Sequence, residues 1–276
     1  MVTRVVTAGA VFVTVLWTAS VGLLWAAEPY LVFMTDNSRS YTAPIDPTIF
    51  RPRSFRNHDG LALDAVHLFH DTPGDRYTIL FCHPAGGSTQ VQIIQEHLRA
   101  LFALGYDVFA FDYRGFGAND GTPTERGLYQ DATAAYEYLT QTERVPEWRI
   151  ILAGRSLGGA VASELATKKR AAGLLLFSPI DSVPSVAARI YPWAPAHLLA
   201  HNQFNTAAKA ASVDVPIVYF SGWPDTYMPH DAARALFDRF RGPKRFVETG
   251  GGHHHSGFTH RPDLYRSLHA FWPLKE

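Results

Sequence analysis

Short apolar runs alternate with longer segments of helical periodicity after Pro73-Gly74, and this pattern occupies most of the chain. Within each run consecutive residues are apolar, as is typical of strands in a parallel sheet that helices cover on both faces. The pattern predicts strands at Thr78–Cys82, Tyr106–Phe111, Arg149–Ala153, Gly173–Phe177, Pro216–Phe220 and Arg245–Glu248. It predicts helices at Val91–Leu104, Pro123–Thr140, Leu157–Lys169, His230–Arg241 and near Asp263–Trp272.

Two local signals add detail to this pattern. Asp59-Gly60 precedes the alternating run from Leu61 to Phe69, and such a dipeptide is favoured in the tight turns of β-hairpins. Thr122-Pro123-Thr124-Glu125 predicts a capping box with proline at the first helical position. Together these features predict an α/β fold, with a mostly parallel central sheet, an initial antiparallel hairpin and helices on both faces.

The N-terminus has a different character, because the 23 residues from Val5 to Ala27 carry no charge. As a helix they would be about 34 Å long, enough to cross a bilayer. Ala26-Ala27 offers small residues for cleavage, but the apolar core of a signal peptide spans only about 7–15 residues. A core helix would need a polar face, which this stretch lacks. Residues 1–28 are therefore predicted to be a single-pass membrane anchor, with a signal peptide as the alternative.

Composition limits the remaining possibilities. Arg4 is the nearest positive side chain to the anchor. It favours a cytoplasmic N-terminus, with the rest of the chain on the non-cytoplasmic side.

Residues 29–49 are rich in Pro, Ser, Thr and Asp and are predicted to be a juxtamembrane linker on the surface, followed by one domain at 50–276. The 25 Lys and Arg balance 25 Asp and Glu, so no basic surface for nucleic acid is expected. Cys82 is the one cysteine, which excludes an internal disulfide.

The sharpest chemical signal is Gly154-Arg155-Ser156-Leu157-Gly158-Gly159, which lies between a predicted strand and a predicted helix. In this arrangement a strained turn holds a nucleophilic serine clear of the sheet. Glycines two residues before and after Ser156 leave room for the neighbouring backbone. The flanking strand and helix favour this interpretation over an ordinary glycine-rich loop with a capping serine. We therefore predict that Ser156 is the nucleophile.

A serine nucleophile needs a base, and the base needs an orienting acid. Asp225 follows the strand that ends at Phe220, so it is expected at the same end of the sheet as Ser156. Asp181 is the reserve candidate for the acid. Asp214 is set aside because it precedes its strand and therefore lies at the opposite end.

The base is expected in the loop after the last predicted strand. His253 follows Gly250-Gly251-Gly252, which would let the loop carry an imidazole back over the serine, and His254 is the second candidate. With His255 these form three adjacent histidines, a pattern that also raises the question of a metal site. Consecutive residues rarely point at one ion, so neither a metal nor a cofactor is predicted.

Acyl transfer also needs N–H donors that face the developing oxyanion. The backbone N–H of Leu157 follows the nucleophile directly, and we predict it as one donor. The loop His83–Ser88 is expected to supply the other, and Ala85 is assigned because Pro84 has no N–H. The same glycine-rich loop lacks the pattern of a phosphate-binding P-loop.

At this point the chain resembles the α/β-hydrolases, and more narrowly a small membrane-anchored branch that carries the motif D-Y-R-G-x-G. The residues that match are Asp112-Tyr113-Arg114-Gly115-Phe116-Gly117, Gly121 to Glu125, Tyr191 to Pro195, Pro216 to Gly222 and Asp225 to Pro229. The likeness runs from about Phe50 to the C-terminus. It implies a serine hydrolase, since members include esterases, lipase-like enzymes, thioesterases and some peptidases. By that resemblance Ser156, Asp225 and His253 fall on the triad positions.

Three departures from the branch stand out. Its His-Gly at the oxyanion loop is His83-Pro84 here, its later His-Gly is Ser221-Gly222, and a serine often found after the motif is Asn119. The first departure bears on the geometry of the oxyanion site. None removes a triad member.

The substrate is expected to be a small acyl ester or thioester. Between Ser178 and Val213 the chain is short, which predicts a minimal apolar lid or one short helix packed on the sheet. Among its apolar residues are Ile180, Ile190, Tyr191, Trp193, Leu198 and Leu199. Alternatives with the same triad are an acyl-protein thioesterase and a serine peptidase. An alternative of a different class is a non-catalytic, membrane-anchored binding protein. The residues that contact the substrate are not identified by sequence.

Overall fold

A computed structural model of the chain describes residues 2–40, 42–71, 75–253 and 267–274, and of residues 2–9 the backbone alone. Its centre is a sheet with strand order β1-β2-β4-β3-β5-β6-β7-β8. The strands are β1 Arg51–Arg56, β2 Ala62–Leu68, β3 Thr78–Cys82, β4 Asp107–Phe111, β5 Ile150–Arg155, β6 Gly173–Phe177, β7 Ile217–Trp223 and β8 Lys244–Gly250. The helices are α1 Val2–Phe33, α2 Asn37–Ser40, α3 Gln92–Ala103, α4 Glu125–Glu137, α5 Leu157–Ala166, α6 Val183–Ile190, α7 Ala196–Leu199, α8 Thr206–Lys209 and α9 His230–Arg239.

The pairing of the strands confirms the predicted architecture. β1 pairs with β2 and β2 with β4 in antiparallel fashion, whereas the neighbours from β4 across to β8 are parallel. Gly60, with φ of 83°, lies in the turn of the β1–β2 hairpin where Asp59-Gly60 was expected. Because β3 to β8 run in parallel, their carboxyl ends meet at one edge of the sheet, and the loops that follow them share that edge.

Both faces of the sheet are buried. On β5, Ile150 and Leu152 pack into one apolar cluster with side chains of α4 and α5, while Ile151 and Ala153 pack into a second cluster with side chains of α3. Trp272, near the C-terminus, belongs to the second cluster. Burial on both faces explains why the strand sequences are apolar at consecutive positions.

Two predicted details differ from the structure. The capping box expected at Thr122-Pro123 is not formed, because Thr124 caps α4 instead, with φ of −143° and a side chain that accepts a hydrogen bond from the N–H of Gly127. The helix therefore begins at Glu125, two residues after the proline. The helix expected near Asp263–Trp272 lies largely outside the described residues.

The N-terminal helix extends further than the uncharged stretch. Within α1 the segment Ala10–Phe33 is long and apolar enough to cross a membrane, with a mean hydropathy of 1.9. Such a segment is also what a signal sequence looks like near an N-terminus. Residues 29–33 continue this helix rather than forming part of a surface linker, and Phe33 is buried against Phe116 and Phe204.

The D-Y-R-G-x-G motif, residues 112–117, directly follows β4 and is held by two buried carboxylates. The first of these is Asp131. Asp131 accepts hydrogen bonds from the backbone N–H of Arg114 at 2.9 Å, from its Nη2 at 2.7 Å and from Asn57 Nδ2 at 2.7 Å. Arg114 also donates to Asp59 at 2.8 Å. A fully buried carboxylate is tolerated here because both of its oxygens accept hydrogen bonds. This network ties the hairpin turn to the motif and to α4.

Asp112 is the second buried carboxylate. It accepts hydrogen bonds from the N–H of Thr89 at 2.6 Å and from the Thr89 hydroxyl at 3.2 Å. Burial raises the pKa of Asp112 to about 7, with a smaller contribution from the charge of Asp64. A Cβ atom at Gly117 would lie 2.5 Å from Oδ2 of Asp112, so the motif needs glycine there. Asp112 thereby joins the motif to the segment that follows the β3 loop.

We predict that Asp131→Asn lowers the free energy of unfolding by about 3 kcal/mol, because the amide leaves the buried Arg114 guanidinium with only Asp59, a half-exposed carboxylate, as its charged partner. The measurement is urea denaturation of the full chain in detergent micelles. Asp71→Asn is the matched control, since Asp71 pairs with Arg51 but its side chain is 77% exposed. The control should change stability by less than about 1 kcal/mol. Equal effects of the two substitutions would contradict the prediction.

We predict that Asp112→Asn changes how stability depends on pH. Between the unfolded pKa of 3.8 and the folded pKa of about 7, the folded protein holds a proton that the unfolded chain has released. Rising pH therefore destabilises the wild type through Asp112, and the asparagine variant lacks this loss. Urea midpoints should favour the variant more at pH 8 than at pH 5, while exposed Asp238→Asn keeps the wild-type trend. A wild-type-to-variant difference that stays constant with pH would refute the assignment.

Candidate active site

Ser156 lies at the sharp turn between β5 and α5. Its backbone has φ of 51° and ψ of −118°, a conformation that costs a non-glycine residue about 1–3 kcal/mol. The turn is held because the N–H of Ser156 donates to the carbonyl of Phe177 on β6 at 3.0 Å. Cβ atoms at Gly154 and Gly158 would each lie 2.1 Å from a carbonyl oxygen, that of Gly158 and that of Cys82 respectively. The turn thus has the nucleophile-elbow geometry that the spacing predicted.

A continuous line of hydrogen bonds joins Ser156, His253 and Asp225. His253 Nε2 lies 2.8 Å from Ser156 Oγ, and His253 Nδ1 lies 2.7 Å from Asp225 Oδ2. Both contacts are satisfied when Nδ1 carries the proton and donates to Asp225, while Nε2 accepts from the serine hydroxyl. The three side chains come from loops after β5, β7 and β8, as expected from the shared edge of parallel strands.

The carboxylate of Asp225 is fixed by its own loop. Its Oδ1 accepts hydrogen bonds from the N–H groups of Tyr227 and Met228 at 2.9 and 2.8 Å. Oδ2 is left to face His253. Asp225 and His253 are both buried, so the ion-dipole contact between them is shielded from water.

The two N–H groups predicted as oxyanion donors belong to the start of α5 and to the loop after β3. The N–H of Leu157 opens α5 directly after Ser156, at the positive end of the helix dipole. Ala85 lies in the loop after β3, between Pro84, whose carbonyl accepts from the N–H of Gly87 at 3.0 Å, and Gly86. Within the described part of the chain neither N–H has a hydrogen-bond acceptor.

The loop of Ala85 rests on the N-terminal segment, a contact that sequence reasoning missed. The N–H of Gly86 donates to the carbonyl of Phe33 at 2.9 Å, and a Cβ atom at Gly86 would lie 3.0 Å from Cβ of Asn37. The Ser88 hydroxyl donates to the carbonyl of Ser38 at 3.2 Å. These contacts are made mainly by backbone groups, so they cannot be predicted from the residue types in the sequence.

Arg155 is a second residue that sequence reasoning missed. Its side chain is buried next to Ser156, and its Nη2 donates a hydrogen bond to the backbone carbonyl of His253 at 2.9 Å. Burial lowers the pKa of Arg155 to about 10, and the charge of Asp225 opposes that shift. Arg155 therefore carries its charge at neutral pH. The available signal was its position, since a charged residue inside the elbow must find a partner across the site.

His83 and His97 are buried histidines outside the triad. His83 Nδ1 lies 2.8 Å from the carbonyl of Pro84, and burial lowers the pKa of His83 to about 4. Burial, with help from Arg155, lowers the pKa of His97 to about 3. Both rings are therefore neutral at physiological pH, and the donor contact of His83 helps to shape the loop around Ala85.

The other candidates fall elsewhere. Asp181, the reserve acid, forms an ion pair with Arg189 of α6. Asp214 precedes β7 and lies away from the strand ends that carry the site. His254 and His255 lie outside the described residues, so the choice between His253 and His254 as base stays a prediction. Within the described ranges no three His, Cys, Asp or Glu side chains form a metal-binding group.

Comparison with known proteins places this geometry in context. Residues 73–203 match the family described as Serine aminopeptidase, S33. An uncharacterized protein of Mycobacterium tuberculosis is 32% identical over 84% of this chain and 82% of its own length. The alpha/beta hydrolase domain-containing protein WAV2 of Arabidopsis thaliana is 27% identical over 90% and 87% of the two chains.

Solved structures share the fold at lower identity. An alpha-beta hydrolase from Vibrio vulnificus superposes with a TM-score of 0.73 at 20% identity, covering 88% of this chain and 91% of that one. The esterase Pf2001 of Pyrococcus furiosus gives a TM-score of 0.69 at 19% identity, over 83% and 93% of the two chains. At these identities the likeness describes the fold.

Proposed function

The chain belongs to the α/β-hydrolase superfamily, and on that premise we propose that it is a serine hydrolase that cleaves carboxylic esters with apolar acyl groups. The observation that carries the proposal is the hydrogen-bonded line from Ser156 through His253 to Asp225. The fold relationship to the Pyrococcus furiosus esterase is consistent with it.

Acylation follows from that line of contacts. The Ser156 oxygen attacks the ester carbonyl carbon while its proton passes to His253 Nε2. Asp225 stabilises the imidazolium that forms, and the carbonyl oxygen becomes an oxyanion. When the tetrahedral intermediate collapses, the bond to the leaving alcohol breaks and the alcohol takes the proton from Nε2. Deacylation repeats the sequence with water, which yields the carboxylic acid and restores Ser156.

The oxyanion is assigned to the N–H groups of Leu157 and Ala85. Donors that are already oriented stabilise the charge without reorganising during the reaction, which is why such sites contribute strongly to rate. Pro84 supplies no N–H but presents its carbonyl to His83 and Gly87, and these contacts restrain the backbone next to Ala85.

Arg155 is assigned as a positioning residue. It does not face the ester; it holds the backbone of His253 through the carbonyl contact at 2.9 Å. A charge-assisted hydrogen bond in a buried site is stronger than one between neutral groups. The imidazole is thereby held from two sides, by Asp225 at the ring and by Arg155 at the backbone.

The cap, residues 178–213, favours esters over peptides. An aminopeptidase needs a carboxylate that can hold the ammonium group of its substrate. Asp181 is the carboxylate within the cap, and it is already paired with Arg189. A peptidase nevertheless remains the second candidate, because the matching family is described as a serine aminopeptidase. A thioesterase would use the same steps with a thiol as leaving group.

We further propose that α1 anchors the enzyme in a membrane as a single-pass helix. What supports this is the apolar segment Ala10–Phe33. The same proposal places the catalytic domain, residues 50–276, on the non-cytoplasmic side, with α1 running on to Phe33 before a linker that ends at residue 49.

A fluorophosphonate probe should label the folded protein at Ser156, because an activated serine attacks the phosphorus centre. Ser156→Ala should lose the label and lower kcat/KM for p-nitrophenyl esters by at least about 10⁴-fold, whereas exposed Ser212→Ala should retain both. Intact-mass analysis reports the adduct. Parallel assays of ester, thioester and aminoacyl amide substrates separate the three hydrolase candidates. Failure of folded protein to react would favour the non-catalytic binding protein.

Arg155→Met should lower kcat about tenfold or more with little change in KM, because the base loses one of its two restraints. Arg155→Lys should recover part of the loss, since an ammonium group can still donate to the carbonyl. Steady-state kinetics on a short p-nitrophenyl ester measure both, with exposed Arg241→Met as control. A change in KM alone would show that Arg155 serves binding rather than orientation of His253.

A further inference from the structure

We propose that a surface of the cap formed by Ile190, Trp193 and Leu198, here named the cap face, lies in the apolar part of a lipid bilayer beside α1. The inference rests on the proposed function, because it takes α1 as a membrane anchor. It adds a second membrane-contacting element and identifies the surroundings from which the substrate would come.

The cap face belongs to a long segment without formal charge. Between Arg189 and Lys209 the sequence contains no Asp, Glu, Lys or Arg, and the ionisable residues there are Tyr191, His197 and His201. A surface segment of this length would ordinarily carry charged residues. Its composition is therefore suited to an apolar environment.

The apolar side chains of this segment are exposed rather than packed into the core. Leu198 is 87% exposed, Trp193 is 47% exposed, and Ile190 is also exposed. Single exposed apolar residues are ordinary, but several on one short segment mark an interaction surface.

Two contacts place the cap alongside α1. Near the end of the apolar stretch, the carboxylate of Glu28 accepts hydrogen bonds from the N–H of Asn202 at 2.9 Å and from its Nδ2 at 3.0 Å. Further towards the N-terminus, Trp17 Nε1 donates to the carbonyl of Trp193 at 3.2 Å. The chain from Trp193 to Asn202 thus follows the side of the helix.

The spacing of these contacts determines the depth of the cap face. Trp17 lies ten residues before Ala27, which is about 15 Å along a helix axis. The apolar core of a bilayer is about 30 Å thick. If α1 crosses the membrane with Ala27 near one surface, Trp17 lies well inside the apolar core. Trp193, in contact with Trp17, must then lie below the membrane surface too.

Acyl chains fit the cap face better than a second copy of the chain does. The contact with α1 makes the cap face continuous with the surface of the anchor, which lipid surrounds on its other sides. The cap therefore borders the acyl chains directly. An ester whose acyl group resides in the membrane could reach the site past the cap without crossing water.

A fluorescent probe on the cap face tests the proposal in the full chain. Cys82, the one native cysteine, is buried, and burial raises its pKa to about 12, so a thiol introduced at the surface reacts selectively. Leu198→Cys carries an environment-sensitive dye, and the protein is reconstituted in phosphatidylcholine vesicles with or without spin-labelled acyl chains. Trp148→Cys is the matched control, because Trp148 is 71% exposed and precedes β5 at the opposite end of the sheet.

The proposal expects the dye at position 198 to shift to the blue and to lose most of its fluorescence to the spin-labelled chains, while the dye at position 148 does neither. Equal quenching at both positions, or none at position 198 in protein that floats with the vesicles, overturns it. So does a signal that follows the protein-to-lipid ratio, which would assign the cap face to a second copy. Failure to float overturns the anchor itself. Hydrolysis of a soluble ester by the same samples reports separately on the proposed enzyme.

Discussion

The site depends on how closely the start of α5 approaches the strands beside it. Gly158 lies against the carbonyl oxygens of Cys82 and His83, at a distance where a Cβ atom would be 2.1 to 2.5 Å from them. That approach packs the start of α5 against the end of β3, where the loop that carries Ala85 begins. Any side chain at Gly158 would push the helix away from this strand end.

The same turn forces Ser156 into a conformation that an isolated chain would avoid, so other elements must hold it. The carbonyl of Phe177 on β6 accepts the Ser156 N–H, and the N–H of Gly159 donates back to the Ser156 carbonyl at 3.0 Å. Since β6 is fixed between β5 and β7, the sheet supplies the restraint that offsets the local strain. The orientation of Ser156 is thus a property of the sheet rather than of the loop alone.

Local patterns were sufficient for most of this framework. The strands Thr78–Cys82 and Gly173–Phe177 agree with prediction at both ends, because a run buried on both faces has sharp limits in hydropathy. The start of α4 was missed since both Thr122 and Thr124 can cap a helix, and the choice depends on tertiary contacts. One such contact is the bond from the Glu125 N–H to Asn202 at 2.9 Å. The order of Ser156, Asp225 and His253 along the chain could be read because each follows a recognisable strand. The contact between Arg155 and His253 could not, since it joins residues 98 positions apart through a backbone carbonyl.

The N-terminal segment shows most clearly what sequence leaves out. The apolar ring of Phe33 predicts that this residue is buried. The group that accepts the hydrogen bond from Gly86, however, is its backbone carbonyl, which every residue type has. Ser38 acts in the same way. Its backbone carbonyl accepts a hydrogen bond from the Ser88 hydroxyl, and its own hydroxyl accepts one from the N–H of Gly117 at 3.0 Å. The segment therefore restrains the β3 loop and the motif after β4 together. Glu28 also bonds to Asn202, so α1 contacts both the cap and the β3 loop. The helix that was predicted only to tether the domain is thus part of the structure that shapes its site.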